Sequence, residues 1–381
     1  MPQGDFSFPT RVVFGPGRSG ELGVLARPMG RRALIVTDPG VARGGAVARV
    51  TEPLRAAGIE SVVFDGVEPN PGEASVAAGV ERFRDGCDFI VAVGGGSPID
   101  AAKAIRLLAT HEGSLRDYVE LSGGTERIRE DLPPLVAVPT TAGTGSEVGR
   151  STVVTLDGVK SVIFSPYLIP TVALCDPELT VGMPPAVTAG TGADALIHNL
   201  EAYFAKGYHP MCDAIALGGI ELAARALPTA VRDGSNLEAR GDMMMAAMMG
   251  AVAFQKGLGV VHSLAHPLST VAGIHHGTAN AVMLPHALRF NRGVIAARAA
   301  AVSRAMRLPA SPDGAECVEF LIRGVEALFR EIALPGRLAE LGVTPEMVDR
   351  LADLAILDGC HLCNPRPVTR EDMAAIYRTA L

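Results

Sequence analysis

The stretch that decides the fold is residues 89–109, which read FIVAVGGGSPIDAAKAIRLLA. Its first five residues are apolar and predict a buried strand, while the apolar residues after Pro98 recur at helical spacing. Between them, Gly94, Gly95, Gly96 and Ser97 let the backbone approach an anion closely, and the first amides of the helix point towards that anion. The stretch therefore predicts a strand, a phosphate-binding turn and a helix, with a tight turn that binds nothing as the alternative.

The sequence around this stretch repeats the alternation of strand and helix. Short apolar runs predict strands at 33–37, 61–64, 89–93, 135–138, 153–156 and 171–175, and helical spacing predicts helices at 41–57, 72–84 and 98–109. Strands that are apolar on both faces and alternate with helices are typical of a parallel sheet covered by helices. We therefore expect an α/β dinucleotide-binding domain with a parallel sheet.

The chain changes character after about residue 185. A turn-rich joint, DPELTVGMPP at 176–185, precedes a region in which only helices are predicted. These helices are expected at 188–204, 213–227, 237–254, 293–306, 317–331, 344–357 and 370–381. We therefore expect two domains, an α/β domain over 1–185 and an all-helical domain over 186–381.

Composition and charge exclude several classes of protein. The 381 residues are 48% apolar and 20% charged, as in an ordinary globular protein, and the net charge of −7 with no basic run argues against nucleic acid. The longest nearly unbroken apolar stretch, 243–254, is too short for a membrane span. The N-terminus does not resemble a secretory signal, and six cysteines without framework spacing suggest a reducing compartment. We expect a cytoplasmic protein.

Asp38 is a candidate cofactor residue because it follows the predicted strand 33–37. A carboxylate there can accept hydrogen bonds from ribose hydroxyls and would repel a 2′-phosphate. An ordinary turn aspartate is an equally good interpretation. The nearby sequence GPGRSG at 15–20 matches a dinucleotide fingerprint, but Pro16 removes one backbone donor, so a turn is favoured there.

A second polar loop, PTTAGTGSE at 139–147, follows the predicted strand 135–138. Its hydroxyl groups suit sugar and phosphate oxygens, and they belong to Thr140, Thr141, Thr144 and Ser146. Asp100, in the first turn of the helix after the glycines, suits ligand hydroxyls better than phosphate. Two such loops at the ends of two strands of one sheet favour a shared ligand.

The helical half contains a candidate metal site. The side chains concerned are Asp194, His198, His262, His266, His275 and His276. The first two stand four residues apart in one predicted helix, and His262 and His266 form a second such pair, whereas GIHHGTAN around the last two is expected to be a loop. One carboxylate and several imidazoles suit Fe²⁺, Zn²⁺, Mn²⁺ or Ni²⁺. Spacing alone does not decide which of the last four histidines are ligands.

Several motifs together resemble the iron-containing, or group III, alcohol dehydrogenases, in order and over nearly the whole chain. They are GGGSPIDAAKAI (94–105), PTTAGTGSEV (139–148), DPELTVGMPP (176–185), GADALIHNLEAY (192–203), HSLAHPLSTVAGIHHGTANAVMLPH (262–286) and NPRPVTREDM (364–373). The resemblance implies a dehydroquinate synthase-like fold, NAD and a divalent metal such as Fe²⁺ as cofactors, and a homodimer or larger assembly. It also implies hydride transfer between NAD(H) and a small alcohol, aldehyde or ketone.

Site residues follow from the same resemblance. It implies metal ligation by Asp194, His198, His262 and His276, with His266 beside nicotinamide and substrate, where it relays a proton. The implied cofactor contacts are Asp38, which favours NAD over NADP, Asn70, Gly95, Gly96, Ser97, Thr140, Thr141 and Lys160; Asp100 and Thr144 are added from their place in the two loops.

The implied substrate cavity includes Phe254. After GSEV the chain departs from the family, with Gly149, Arg150 and Ser151 in place of Thr and a larger residue, so Ser151 is expected on a smaller or more polar wall. Arg150 is expected in solvent, with an inward position as the alternative. The rival functions are an NAD- and metal-dependent carbon–oxygen lyase of the dehydroquinate synthase type, a maleylacetate reductase-like enzyme, and a dinucleotide-binding protein without enzymatic activity.

Overall fold

The computed structural model describes residues 6–8 and 10–381, which divide into two compact units. The sheet unit contains Phe8–Thr141 and Gly145–Gly182, and the helical unit contains Met183–Leu381 together with Ala142–Thr144 and residues 6 and 7. The chain passes from one unit to the other at Gly182, inside the turn-rich segment 176–185.

Six parallel strands form the sheet of the sheet unit, in the order β1-β8-β5-β4-β2-β3. The strands of the unit, including β6 and β7 of a separate hairpin, are β1 (Arg11–Phe14), β2 (Arg32–Val36), β3 (Glu60–Phe64), β4 (Phe89–Gly94), β5 (Leu135–Pro139), β6 (Ser151–Leu156), β7 (Val159–Phe164) and β8 (Val172–Cys175). The helices are α1 (Leu22–Ala26), α2 (Pro39–Arg43), α3 (Ala46–Ala56), α4 (Glu73–Arg84) and α5 (Gly96–Thr110). The predicted parallel α/β fold is confirmed.

Alternate residues of the central strands pack into two separate cores, one on each face of the sheet. In β4, Ile90 and Ala92 belong to one core, while Phe89, Val91 and Val93 belong to the other. Successive side chains of a strand point to opposite faces, so a strand covered on both sides must be apolar throughout. This explains why the apolar runs located the central strands.

The hairpin of β6 and β7 corrects one prediction. The run 153–156 lies in β6, which pairs antiparallel with β7 in a separate two-stranded sheet instead of extending the parallel one. Asp157 and Gly158 both have positive φ, +51° and +76°, as a two-residue hairpin turn requires. The predicted helix 41–57 is also divided, into α2 and α3, and Gly45 has a φ of +84° at the break.

The described residues of the helical unit contain no strands, as predicted, and eight α-helices where seven were predicted. They are α6 (Pro185–Phe204), α7 (Pro210–Arg232), α8 (Leu237–Ala253), α9 (Val260–Val271), α10 (His276–Ala305), α11 (Gly314–Glu331), α12 (Val348–Ala355) and α13 (Arg370–Ala380). Helix α9 was not among the seven, and α10 begins at residue 276 instead of 293. Helix α6 is buried almost all round, because α7, α8 and α10 pack against it. Helix α7 is long and apolar enough to cross a membrane by length and composition, but it packs between other helices of the unit.

Candidate metal and cofactor sites

The order of the strands includes a reversal of chain direction in the sheet unit. Strand β2 has β3 on one side and β4 on the other, so the direction of the chain across the sheet reverses between β2 and β4. Asp38 follows β2 and Gly95 follows β4, and the Thr37 hydroxyl donates a hydrogen bond to the Val93 carbonyl at 2.8 Å. Open α/β sheets bind ligands beyond the carboxyl ends of the strands at such a reversal.

The glycine loop after β4 is close to the loop after β5. Gly94 has a φ of +151°, and a Cβ atom there would lie 2.5 Å from the Pro98 ring. A Cβ atom on Gly95 would lie 3.2 Å from the Thr141 side chain, and the Thr140 amide donates to the Gly94 carbonyl at 2.9 Å. The two loops that the sequence singled out are therefore in contact, beside the N-terminal amides of α5.

Asp38 caps the N-terminus of α2. Its Oδ1 atom accepts hydrogen bonds from the amides of Gly40, at 2.8 Å, and Val41, at 3.0 Å, at the start of α2. One carboxylate oxygen is thus used by the turn. Asn70, another expected cofactor residue, is exposed and has a φ of +55°.

Asp100 and Lys103 form a buried polar group under the loop 145–151. The Asp100 carboxylate accepts a hydrogen bond from the Ser146 hydroxyl at 2.5 Å, and Lys103 Nζ donates to Ser146 Oγ and to the carbonyls of Gly149 and Ser151. Burial raises the pKa of Asp100 and lowers the pKa of Lys103 to about 8. Asp100 therefore holds the protein's own loop, which sequence reasoning did not foresee.

Other expected site residues are spread over several elements. Ser151 begins β6, Lys160 lies in β7, and the Arg150 guanidinium stacks over the Phe164 ring at 5.1 Å. Thr144 belongs to the helical unit.

The GPGRSG loop behaves as the turn that was favoured. The Gly17 and Ser19 amides donate to the Asp176 carboxylate at 3.1 and 3.0 Å, so an internal carboxylate already uses them.

Three of the expected metal ligands converge in the helical unit. Asp194 of α6, His262 of α9 and His276 of α10 each offer a donor atom, and these atoms all lie within 4.8 Å of one another. Asp194 Oδ1 is 3.6 Å from the Nε2 atoms of both histidines. Asp194 and His262 side chains are only 3% and 2% exposed, while His276 keeps 23% of its side chain exposed. The cluster is therefore buried with one open side.

His198 lies beside this cluster but outside the 4.8 Å group. Its ring stacks on His262 with centroids 4.6 Å apart, and its Nδ1 atom is 3.9 Å from Asp194 Oδ2. Among the described residues, this buried Nδ1 atom has no hydrogen-bond partner. An unsatisfied buried nitrogen next to a carboxylate and two imidazoles fits a site for a divalent cation.

Close contact between two helices brings Asp194 and His276 together. A Cβ atom on Gly277 would lie 2.0 Å from the Gly190 carbonyl oxygen and 3.3 Å from the Asp194 Cβ atom. Any larger residue at Gly277 would push α10 away from α6. His276 is the first residue of α10, so the expectation of a loop around GIHHGTAN is wrong at this position.

The protonation states of the cluster differ from one expected ligand to the next. Burial alone would raise the pKa of Asp194, but the surrounding imidazoles hold it well below its ordinary value. Burial lowers the pKa of His198 to about 4, so this ring is neutral at pH 7. Burial also acts to lower the pKa of His262, but hydrogen bonds to Asp194 and Glu201 raise it to about 9. Metals bind ionised carboxylates and neutral imidazoles, so Asp194 and His198 are already in the binding form, whereas a metal has to displace a proton from His262.

Glu201 supports one of the histidines from behind. Its Oε2 atom is 2.6 Å from His262 Nδ1, and its Oε1 atom accepts a hydrogen bond from the Val261 amide at 2.7 Å. The Glu201 carboxylate keeps a proton on Nδ1 and orients the ring, so Nε2 is the atom left to bind a metal once it has released its own proton. Glu201 follows His198 by three residues and so lies on the same face of α6. This spacing is the sequence signal that indicates Glu201.

His266 has a separate carboxylate partner. Its Nδ1 atom is 2.6 Å from Asp358 Oδ2, and Asp358 Oδ1 accepts hydrogen bonds from the Ser263 hydroxyl and the Cys360 amide. Burial would raise the pKa of Asp358, but the attraction and hydrogen bond of His266 hold it well below its ordinary range. The His266 ring stacks on His276 with centroids 5.2 Å apart, so it borders the cluster. Asp358 was not expected from the sequence.

Phe254 also borders the cluster, because its ring lies 5.3 Å from the His198 ring.

Comparisons with known proteins agree with this arrangement. Residues 9–177 match the family described as iron-containing alcohol dehydrogenase, and residues 188–381 match the C-terminal region of the same family. The chain belongs to the iron-containing alcohol dehydrogenase family. The family membership confirms the resemblance seen in the motifs.

Individual relatives span 92% or more of the chain. A 4-hydroxybutyrate dehydrogenase from Cupriavidus necator is 45% identical over 92% of this chain and 91% of its own length. An NAD-dependent methanol dehydrogenase from Bacillus methanolicus is 38% identical over 99% of this chain and 100% of its own. The crystal structure of a 1,3-propanediol oxidoreductase has a TM-score of 0.96 and 41% identity, with both chains covered completely.

The expected class of activity is thereby confirmed. The protein is an oxidoreductase of the iron-containing alcohol dehydrogenase family, which transfers hydride between NAD(H) and an alcohol or aldehyde with a divalent metal, typically Fe²⁺. The lyase interpretation is not supported by these relatives.

Proposed function

We propose that Asp194, His198, His262 and His276 hold the catalytic metal of this dehydrogenase. The observation that carries this assignment is the convergence of donor atoms from three helices within 4.8 Å, two of them on buried side chains. When bound, the ion supplies Lewis-acid polarisation of the substrate oxygen, and NAD supplies the hydride acceptor. His276 is the most exposed of the three converging ligands, so we assign its side of the cluster to the substrate.

The chain's own residues then orient the reactants and move the proton. Asp358 fixes the tautomer of His266 through Nδ1, which leaves Nε2 to exchange a proton with the substrate oxygen or a ribose hydroxyl. Phe254 provides an apolar wall beside His198 and limits the size of the substrate.

We assign the pyrophosphate of NAD to Gly95, Gly96 and Ser97 at the start of α5. The Asp38 carboxylate would accept hydrogen bonds from the ribose hydroxyls of NAD. Further contacts are proposed for Asn70, Thr140, Thr141, Thr144 and Lys160. Asp100 contributes indirectly in this proposal, since its carboxylate is bonded to Ser146, and Ser151 is proposed on the substrate wall. The halves 1–185 and 186–381 thus serve as cofactor and catalytic domains.

For substrate, we propose a short primary alcohol or aldehyde that carries a second polar group at its far end. Support comes from the 4-hydroxybutyrate dehydrogenase and 1,3-propanediol oxidoreductase relatives. We further propose that the enzyme works in the cytoplasm as a homodimer or larger assembly.

The test is a set of initial rates with metal content measured in parallel. Purified enzyme is assayed with NAD and with 1-propanol, 1,3-propanediol, 4-hydroxybutyrate and methanol. We expect kcat/KM for one of the two bifunctional compounds to exceed that for 1-propanol at least about tenfold. Equal values for all four alcohols would refute the substrate proposal, and full activity without bound metal would refute the metal assignment. Light scattering of the same sample gives the mass of the assembly.

A further inference from the structure

The side chain of Asn280 touches all three converging donor atoms. Asn280 follows His276 by one helical turn on α10 and is completely buried. Its Nδ2 atom lies 2.8 Å from Asp194 Oδ1, 3.3 Å from His262 Nε2 and 3.2 Å from His276 Nε2. Asn280 belongs neither to the proposed ligand set nor to the proposed proton relay.

The two ends of this carboxamide have opposite surroundings. The NH₂ group donates to the Asp194 carboxylate and lies beside the Nε2 atoms of both histidines, so it fills the space between the three donor atoms in the protein without metal. The Oδ1 atom is buried and has no hydrogen-bond partner among residues 6–8 and 10–381. A buried carbonyl oxygen without a partner is unusual in folded proteins and indicates a role that the metal-free arrangement does not fulfil.

A divalent cation reverses the preference of this group. An ion bonded to Asp194, His262 and His276 lies next to the carboxamide, because Nδ2 is within 3.3 Å of every donor atom. The positive edge of an NH₂ group repels a cation, whereas a carbonyl oxygen attracts it. Half a turn of the carboxamide exchanges Nδ2 and Oδ1 with almost no change in volume.

We propose that Asn280 is a two-state member of the metal site, which spaces the ligands through Nδ2 in the metal-free protein and turns Oδ1 towards the ion on binding. This inference rests on the proposed ligand set. The additional oxygen donor strengthens metal retention, and the rotation satisfies the buried carbonyl.

Two substitutions separate this role from simple packing. Asn280→Ala removes both the spacer and the oxygen donor, so metal-free and metal-bound proteins both lose a contact. Asn280→Asp places a second carboxylate close to Asp194, which favours a cation and repels Asp194 when the ion is absent. Asn291→Ala is the matched control, because Asn291 is another buried amide of α10 and is bonded to Asn364 instead.

The experiment measures Tm of metal-free and metal-loaded full-length protein, with Zn²⁺ or anaerobic Fe²⁺, and metal affinity by competition with a chelator. For Asn280→Ala we expect affinity about tenfold weaker, the range known for residues that support ligands. For Asn280→Asp we expect a lower Tm without metal and a larger gain in Tm on metal addition than in the wild type. Asn291→Ala should lower both Tm values and leave the gain unchanged.

An unchanged affinity and an unchanged gain in Asn280→Ala would overturn the proposal, whether or not Asn280→Asp folds. Asp194→Ala distinguishes this failure from failure of the ligand set. If Asp194→Ala still binds metal like the wild type, the proposed ligands are wrong. If it loses the metal while Asn280→Ala retains wild-type affinity, only the role of Asn280 is wrong.

Discussion

One candidate site is built mainly from backbone atoms, and the other is built from side-chain atoms. At the carboxyl end of the sheet, the site consists mainly of backbone, with glycines that leave amides accessible at the start of α5. In the helical unit, the site consists of side-chain atoms from α6, α9 and α10, and one contact, between Asp194 and Asn280, joins residues 86 apart in sequence. A backbone site depends on local conformation and is altered gradually by substitution, whereas a side-chain site depends on single atoms.

The largest effect is expected when the Asp194 carboxylate is removed from the metal cluster. Asp194→Ala removes the only carboxylate among the proposed ligands and leaves three imidazoles facing an ion. We expect metal content close to zero and a fall in kcat/KM of at least about a thousandfold, at the upper end of the loss caused by removing one transition-state hydrogen-bond donor. Elemental analysis and initial rates check both quantities. Residual activity above a tenth of the wild type would show that Asp194 is not a ligand.

A smaller effect on turnover is expected from Asp358→Asn, which leaves the metal in place. The amide no longer fixes the Nδ1 proton of His266, so the proton relay loses its orientation. We expect kcat to fall about a hundredfold, the lower range for a positioned acid or base, with KM for NAD unchanged. Steady-state kinetics and metal analysis on the same sample make the measurement.

Ser263→Ala is the control for Asp358→Asn, because it removes a different hydrogen bond to the same carboxylate. Its kcat should stay within a few-fold of the wild type. Loss of metal from Asp358→Asn would contradict the division of roles between the two histidine–carboxylate pairs.

Glu201→Gln tests the other histidine–carboxylate pair, which we assign to metal binding. The substitution keeps the shape of the side chain but removes the charge behind His262. We expect metal affinity to fall about 10- to 100-fold, with kcat recovered when metal is in excess. Titration with Zn²⁺ against a chelator measures the affinity. If excess metal fails to restore kcat, Glu201 acts on the reaction itself and not through the metal.

The same contrast explains what the sequence could predict. The glycine turn and the central strands are local patterns, so residues 89–109 located the turn and one strand, and separate apolar runs located the other central strands. The pairs Glu201–His262 and Asp358–His266 join residues 61 and 92 apart, and no local pattern indicates such contacts. The start of α10 at His276 was also missed, because its glycine and histidines resemble a loop before Gly277 is seen packed against α6.

Strand pairing was the other feature that local patterns could not decide. The run 153–156 has the composition of a strand, but its partner is β7, which follows at once after Asp157 and Gly158. The short turn makes an antiparallel hairpin the nearest available pairing. An apolar run therefore indicates a strand, while the connection that follows it determines which sheet it joins.

The smallest effect is expected in the backbone site, from Asp38→Asn. Asn caps a helix about as well as Asp, so α2 should be retained and Tm should change little. The loss of charge removes repulsion of a 2′-phosphate, and we expect the preference for NAD over NADP to fall about tenfold, or roughly 1.4 kcal/mol. The ratio of kcat/KM for the two cofactors measures this change.

Asp38→Ala separates the two roles of the same carboxylate. It removes both the charge and the cap, so it should match Asp38→Asn in cofactor preference and in addition lose about 1 kcal/mol of stability. Loss of stability in Asp38→Ala with an unchanged cofactor ratio in both variants would mean that Asp38 serves the turn alone. A changed ratio in both variants would show that the Asp38 side chain selects the cofactor at the edge of a site that is otherwise made of backbone. The contrast between a backbone site and a side-chain site would then hold only for the pyrophosphate loop and the metal ligands.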